Sequence, residues 1–143
     1  TLCHRYLIVR SAWVYGIGRD FVSTVLNAAA DPTCPWLAVP TDRFASPTSA
    51  DDLTAAVEQL IDHDTLGIYH IVCQGRCSRY DFAQAILKAA HMEDKLELHP
   101  IRAADAGSTP SYTVLDNLML RLDNLPQPRP WKEALNEYIN SLQ

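Results

Sequence analysis

The sequence has 143 residues, 48% of them hydrophobic and 20% charged, which is the size and balance of one ordinary folded domain and not of a disordered segment. Twelve Lys and Arg against 17 Asp and Glu leave a net charge of −5, which argues against nucleic acid as the main partner, because a phosphate backbone needs a basic face. No apolar run nears the roughly 20 residues of a membrane span, so no membrane partner is expected.

Tyr6-Leu7-Ile8-Val9-Arg10 is a continuous apolar run that predicts a strand buried on both faces, as in a parallel sheet. Trp13-Val14-Tyr15-Gly16 follows, and Gly16 and Gly18 mark a loop. Asp20 predicts a helix cap, with Val22, Val25, Leu26 and Ala29 on the core face and Asp31-Pro32 as the stop. Trp36 to Val39 reads as a short strand, and Thr41 to Thr48 as a loop of turn formers. Ser49 and Asp52 resemble a capping box for a helix with the stripe Leu53, Val57, Leu60 and Ile61. Ile68 to Val72 reads as a strand. Ser78 and Asp81 repeat the capping pattern ahead of Phe82, Ile86, Ala89 and Ala90. Leu96 to Ile101 alternates weakly as a strand, and Arg102 to Tyr112 reads as an exposed loop. Asp116 predicts the cap of a short helix. Pro130 predicts the first position of a final helix that faces inward with Trp131, Ala134, Leu135, Tyr138, Ile139 and Leu142. Strands alternating with helices give an α/β class.

Cys3, Cys34, Cys73 and Cys77 read as reduced thiols of a cytoplasmic protein, given the absence of a secretory signal. The opening Thr1-Leu2-Cys3-His4-Arg5-Tyr6 lacks Met, so a piece of a longer polypeptide is expected. Its first strand would then seek a partner strand, within the chain or in a second copy as a homodimer.

Several chemistries find little support. Gly16-Ile17-Gly18-Arg19-Asp20-Phe21 starts like a dinucleotide loop, but Phe21 replaces the glycine that lets helix and strand pack closely. Cys73 and Cys77 lack a second ligand pair for zinc. No Gly-x-Ser-x-Gly elbow is present. The residues four places after each tyrosine are Arg10, Arg19, Cys73, Gln84, Asp116 and Leu142, so no tyrosine–lysine acid–base pair exists. The chain taken alone should therefore not transfer hydride. Arg10, Arg19, Arg43, Arg76, Arg79 and Arg102 fall at element ends or in loops, where α/β proteins bind ligands and where solvated arginines are also common. Trp13 at a strand end serves equally as a core tryptophan or as an exposed indole that stacks on a ring.

Arg10-Ser11-Ala12-Trp13-Val14-Tyr15-Gly16 resembles the C-terminal part of the dTDP-4-dehydrorhamnose reductase family, within the extended short-chain dehydrogenase/reductases. Further matches follow in order: Asp20-Phe21-Val22, Asp42 to Thr48, Asp51-Asp52-Leu53, Gly67-Ile68-Tyr69-His70, Tyr80-Asp81-Phe82-Ala83, Val114-Leu115-Asp116-Asn117, and Leu125-Pro126 with Trp131 to Leu135. The resemblance implies that residues 1–18 end a Rossmann sheet and residues 19–143 form a sugar-nucleotide-binding domain. NADPH or NADH, with the catalytic tyrosine and lysine, would belong to an N-terminal half absent from this chain. The full-length enzyme would reduce a dTDP-4-keto sugar, and the fragment alone would be inactive. By the same resemblance Trp13 faces the sugar, and Asp20, Arg43 and Ser46 lie near the nucleotide of a dTDP-sugar substrate. Asp20 stands where the family commonly has Asn, Arg43 and Ala45 where it has Gln and Gly, and Arg79 where Trp is frequent. Arg43 is the residue that would take over the diphosphate. The alternative is a non-catalytic relative, like those that regulate methionine adenosyltransferase.

Overall fold

The first strand does not lie alone. In the computed structural model, which describes residues 4–142, β1 (Leu7–Arg10) runs parallel to β6 (Gly67–His70), with Val9 opposite Tyr69. The strand thus finds its partner within the chain. It is not buried on both faces as its apolar run predicts. Leu7 and Val9 pack on the core, while Ile8 is 45% exposed beside exposed Ile68. Side chains alternate across a strand, and no described element covers the Ile8 side.

Three other small sheets carry the rest of the backbone pairing. β2 (Val14–Tyr15) runs parallel to β5 (Thr48–Ser49). β3 (Trp36–Pro40) runs parallel to β8 (Glu97–Ile101), so the weak alternation at Leu96–Ile101 does mark a strand. The segment 41–48 is not all loop. β4 (Arg43–Ala45) lies between antiparallel β7 (Cys77–Ser78) and parallel β9 (Ser111–Tyr112). Its partners are far away in sequence, so the pairing is tertiary and leaves no local pattern. The stretch 102–112 likewise contains β9 and a 3-10 turn at Ala103–Ala106, whose Ala103 N–H donates to the Asp42 carboxylate at 2.8 Å.

The helices follow their caps. α1 (Phe21–Ala30) starts at Asp20, which accepts the Ser23 N–H at 2.7 Å. α2 (Ala50–Asp62) starts at Ser49, which accepts the Asp52 N–H at 3.2 Å. Its buried residues are Ala56 and Leu60, with Leu53 and Val57 packed beside them; Ile61 is 64% exposed and leaves the expected stripe. α3 (Arg79–Ala89) has a full capping box between Ser78 and Asp81 and buries Phe82, Ala83, Ile86 and Leu87. α4 (Leu118–Leu122) is capped at Asn117 and not at Asp116, which pairs with Arg121 instead. α5 (Trp131–Ser141) has Pro130 one place outside the helix, and Leu142 is exposed.

Two cores result. The larger joins Val22 and Val25 of α1, Phe82 and Ile86 of α3, and Trp131, Leu135 and Ile139 of α5 around Tyr15 and Val39. The smaller joins Ala56, Leu60, Tyr69, Ile71, Leu120 and Leu125 under β1 and β6. Cys34, Cys73 and Cys77 are free thiols, and Cys3 lies outside the described residues.

Candidate functional site

Trp13 leaves β1 with a φ of 43°, in the left-handed region that costs a bulky residue free energy. Its carbonyl accepts the Thr48 N–H at 3.2 Å, which anchors this turn to β5. The indole then stacks with Phe82 at 6.2 Å between ring centroids. The Arg79 guanidinium lies over the indole at 3.7 Å and over the Phe21 ring at 4.5 Å. One cation is thus shared by two aromatic rings, an arrangement held by cation–π attraction.

Arg79 occupies an electrostatically adverse place. It is the first residue of α3, where the helix dipole already concentrates positive charge. The pairing of Phe44 with Ser78 brings Arg43 and Arg79 to the same side of the β4–β7 ribbon. Partial burial pushes the Arg79 guanidinium down to about 10, and Arg43 pushes it the same way. Among the described residues, Arg79 donates no hydrogen bond and neither Arg43 nor Arg79 has a carboxylate within 4.0 Å, whereas Arg5, Arg121 and Arg129 all have one. Arg43 makes one long contact, to Ser111 Oγ at 3.5 Å. The nearby Asp81 carboxylate is taken by the Ser78 N–H and O–H at 3.1 and 2.7 Å. Arg76 sits one strand-step away and bonds the Tyr112 hydroxyl, with its guanidinium over that ring.

The four expected site residues therefore separate into two groups. Trp13 and Arg43 are both half-buried, Trp13 beneath Arg79 with Phe21 under the same guanidinium, and Arg43 on β4, which pairs with the strand that leads into Arg79. Asp20 and Ser46 do not offer free groups. Asp20 spends one carboxylate oxygen on Ser23 N–H and the other on Gly16 N–H, at 2.7 and 2.8 Å. Ser46 is buried, 1% exposed, and donates to the Gly75 carbonyl at 2.6 Å. They position the Gly16–Asp20 loop and the 42–48 segment. The sequence placed Arg79 among six arginines at element ends or in loops and did not single it out, although an arginine directly after a helix cap was the available signal.

The Gly16–Asp20 loop does not fit a dinucleotide. Asp20 fills the place at the helix start that a pyrophosphate would need. A Cβ at Gly16 would meet Ala50 Cβ at 2.9 Å, so that glycine serves packing of the loop against α2.

A family model described as the RmlD substrate binding domain matches residues 1–143. The Bacillus subtilis spore coat polysaccharide biosynthesis protein SpsK is 38% identical over 134 residues, covering 92% of this chain and 46% of that protein. A solved dTDP-4-dehydrorhamnose reductase from Clostridium acetobutylicum is 39% identical with a TM-score of 0.90, covering 96% of this chain and 49% of that one. A second, from Bacillus anthracis in complex with NADP, is 30% identical with a TM-score of 0.90, covering 98% and 49%. The chain thus spans about half the length of the relatives it matches. The expected α/β architecture and the family resemblance are both borne out, and this chain belongs to the RmlD substrate-binding-domain family.

Proposed function

We propose that this chain is the substrate-binding portion of a sugar-nucleotide 4-keto reductase of the dTDP-4-dehydrorhamnose type, with residues 1–18 ending the cofactor domain's sheet and residues 19–143 holding the sugar nucleotide. One observation carries the reading: an indole on left-handed backbone lies beneath the Arg79 guanidinium, which meets no carboxylate within 4.0 Å among the described residues. A ring and a cation on one face are what a nucleoside diphosphate sugar requires.

NADPH or NADH would supply the hydride, and the chain's own Gly16–Asp20 loop does not fit it, so no step of that chemistry is assigned to these residues. Their part is binding and orientation. Trp13 sets one wall for the sugar, and its left-handed backbone fixes the angle of that wall. Arg43 and Arg79 draw the charged end of the substrate to the same face. Holding the reacting carbon at a fixed place relative to the cofactor is a proximity contribution. The compartment proposed is the cytoplasm, and a homodimer is proposed as the assembly.

The test is turnover by the complete natural polypeptide with NADPH or NADH and dTDP-4-dehydro-L-rhamnose. dTDP-L-rhamnose should form, and a Trp13→Ala variant should lose kcat/KM. A folded protein that binds dTDP yet yields no product points to the second reading, a non-catalytic binding protein. One observation favours that second reading: the Trp13 ring already carries the Arg79 guanidinium at 3.7 Å and stacks with Phe82.

A further inference from the structure

Charge is sorted between the helices of this chain. α2 carries Asp51, Asp52, Glu58 and Asp62 and no basic residue. Asp52 is taken by Arg129, while Asp51, Glu58 and Asp62 are exposed. They recur at positions i, i+7 and i+11, with exposed Ala55 between the first two, and so form one acidic stripe along the outer side of the helix. Ile61, 64% exposed, borders the stripe as an apolar contact.

The opposite sign gathers in a groove between α3 and α5. The two helices run parallel: Trp131 meets Phe82 edge-on near their starts, and Asn140 and Ala89 line one cavity near their ends. Two adjoining cavities of about 480 and 370 Å³ make up the groove and share Ala85, Lys88 and Lys132. Arg76, Lys88, Lys132 and His91 line it, with the amides of Asn136 and Asn140. Among the described residues its one carboxylate is Asp81, which is held by the Ser78 N–H and O–H. Half-buried Ala85 and Ala89 keep the floor low, so that another helix can approach closely.

Stripe and groove also match in length, each about 16 Å at about 1.5 Å per residue. They flank opposite sides of α5. Lys132, Asn136 and Asn140 form one wall of the groove, while Tyr138 and Ser141 share a small cavity with Asp51 on the other side. The stripe therefore cannot reach the groove of its own chain. We infer that the groove between α3 and α5 docks α2 of a second copy. A twofold axis beside α5 lets each copy give its α2 and receive the other's, which closes the contact as a dimer. The inference rests on the homodimer reading and names its surface. Lys88 lies about two and a half helical turns beyond Arg79, so the groove opens away from Trp13 and leaves the proposed binding face uncovered.

The experiment is sedimentation velocity of the complete polypeptide over a concentration series. The unaltered protein should form a dimer, and raising salt from 0.1 M to 1 M, which shortens the Debye length from about 10 Å to about 3 Å, should weaken it about 10-fold. Lys88→Glu with Lys132→Glu puts acid against acid, and Glu58→Lys with Asp62→Lys puts base against base. Each double variant should be monomeric, with its fold verified by circular dichroism. Mixed in equal amounts, the two variants should recover the dimer, because both contacts of the mixed pair are again complementary. A dimer that ignores both reversals, or a mixture that stays monomeric, overturns the inference and leaves the homodimer reading standing. Dissociation by the groove reversal but not by the α2 reversal also overturns it, and gives the groove to a different acidic segment. A monomer at every concentration overturns the inference and the homodimer reading together, and leaves the sugar-nucleotide reading to its own turnover assay.

Discussion

Asn117 answers both backbone polar groups of Val72. Its Oδ1 accepts the Val72 N–H at 2.9 Å and its Nδ2 donates to the Val72 carbonyl at 2.8 Å, in a fully buried position. The side chain does the work of a missing strand at the point where β6 ends, and it ties α4 to that end. Asn117→Ala strands two buried backbone groups. The loss should be about 2–4 kcal/mol, read as a lower urea midpoint with an unchanged slope. Asn117→Asp should also destabilise, because a carboxylate cannot donate to the Val72 carbonyl.

Arg79 should be a liability in the unliganded protein. Replacing it by Met keeps an apolar stem on the Trp13 and Phe21 rings and removes a charge that burial and Arg43 both disfavour. Discounted for solvent screening, the gain should be up to about 1 kcal/mol in urea-unfolding stability. A loss of that size would show that the cation–π contacts outweigh the desolvation.

Alkaline pH should unfold the chain from the thiols outward. Burial raises Cys73 from 9.0 to about 11 and Cys77 from 9.0 to about 12. A raised acid contributes fully below the unfolded value and loses its contribution as pH climbs through the folded one. Stability should therefore be level up to about pH 9 and fall between about 9 and 12. Tyr15, raised chiefly by burial, and Tyr69, raised chiefly by its bond to Asp123, extend the fall. Arg79 works the other way above about 10, because its folded form sheds a proton first. Cys77→Ala should flatten the decline, measured by thermal melts across the pH series.

The backbone at Trp13 is separable from its ring. With φ at 43°, glycine relieves strain that alanine keeps. Trp13→Gly should therefore be about 0.5–1 kcal/mol more stable than Trp13→Ala, although both remove the same indole. Equal stabilities would mean that the turn relaxes when the ring is gone.

Helix starts were the most legible part of the chain. Asp20, Ser49 and Ser78 all cap where expected, Ser49 and Ser78 by their spacing to Asp52 and Asp81, because capping is a contact within four residues. Short strands such as β4 and β9 were not legible, since a two- or three-residue strand exists only through its distant partner. The same division runs through the site. Asp20 and Ser46, expected near the nucleotide, turn inward to partners at Gly16 and Gly75. The Arg79 stack depends on Phe21, far back in the chain, meeting the start of α3. No local window contains that meeting.

Tyr138 donates its hydroxyl to the Gly16 carbonyl at 2.6 Å across 122 residues, and Tyr15 packs edge-on against the same ring. The loop beneath Trp13 is thus clasped by a helix that emerges from synthesis long after it. Until α5 is made, Gly16–Asp20 has its own short-range bonds and its packing on α2 to shape it, and the long loop closure must be met before the Tyr138 contact forms. The binding face is accordingly a late product of folding. Loss of the Tyr138 hydroxyl, which leaves the buried Trp131, Leu135 and Ile139 in place, should surface as a failure to recognise substrate before it surfaces as a failure to fold.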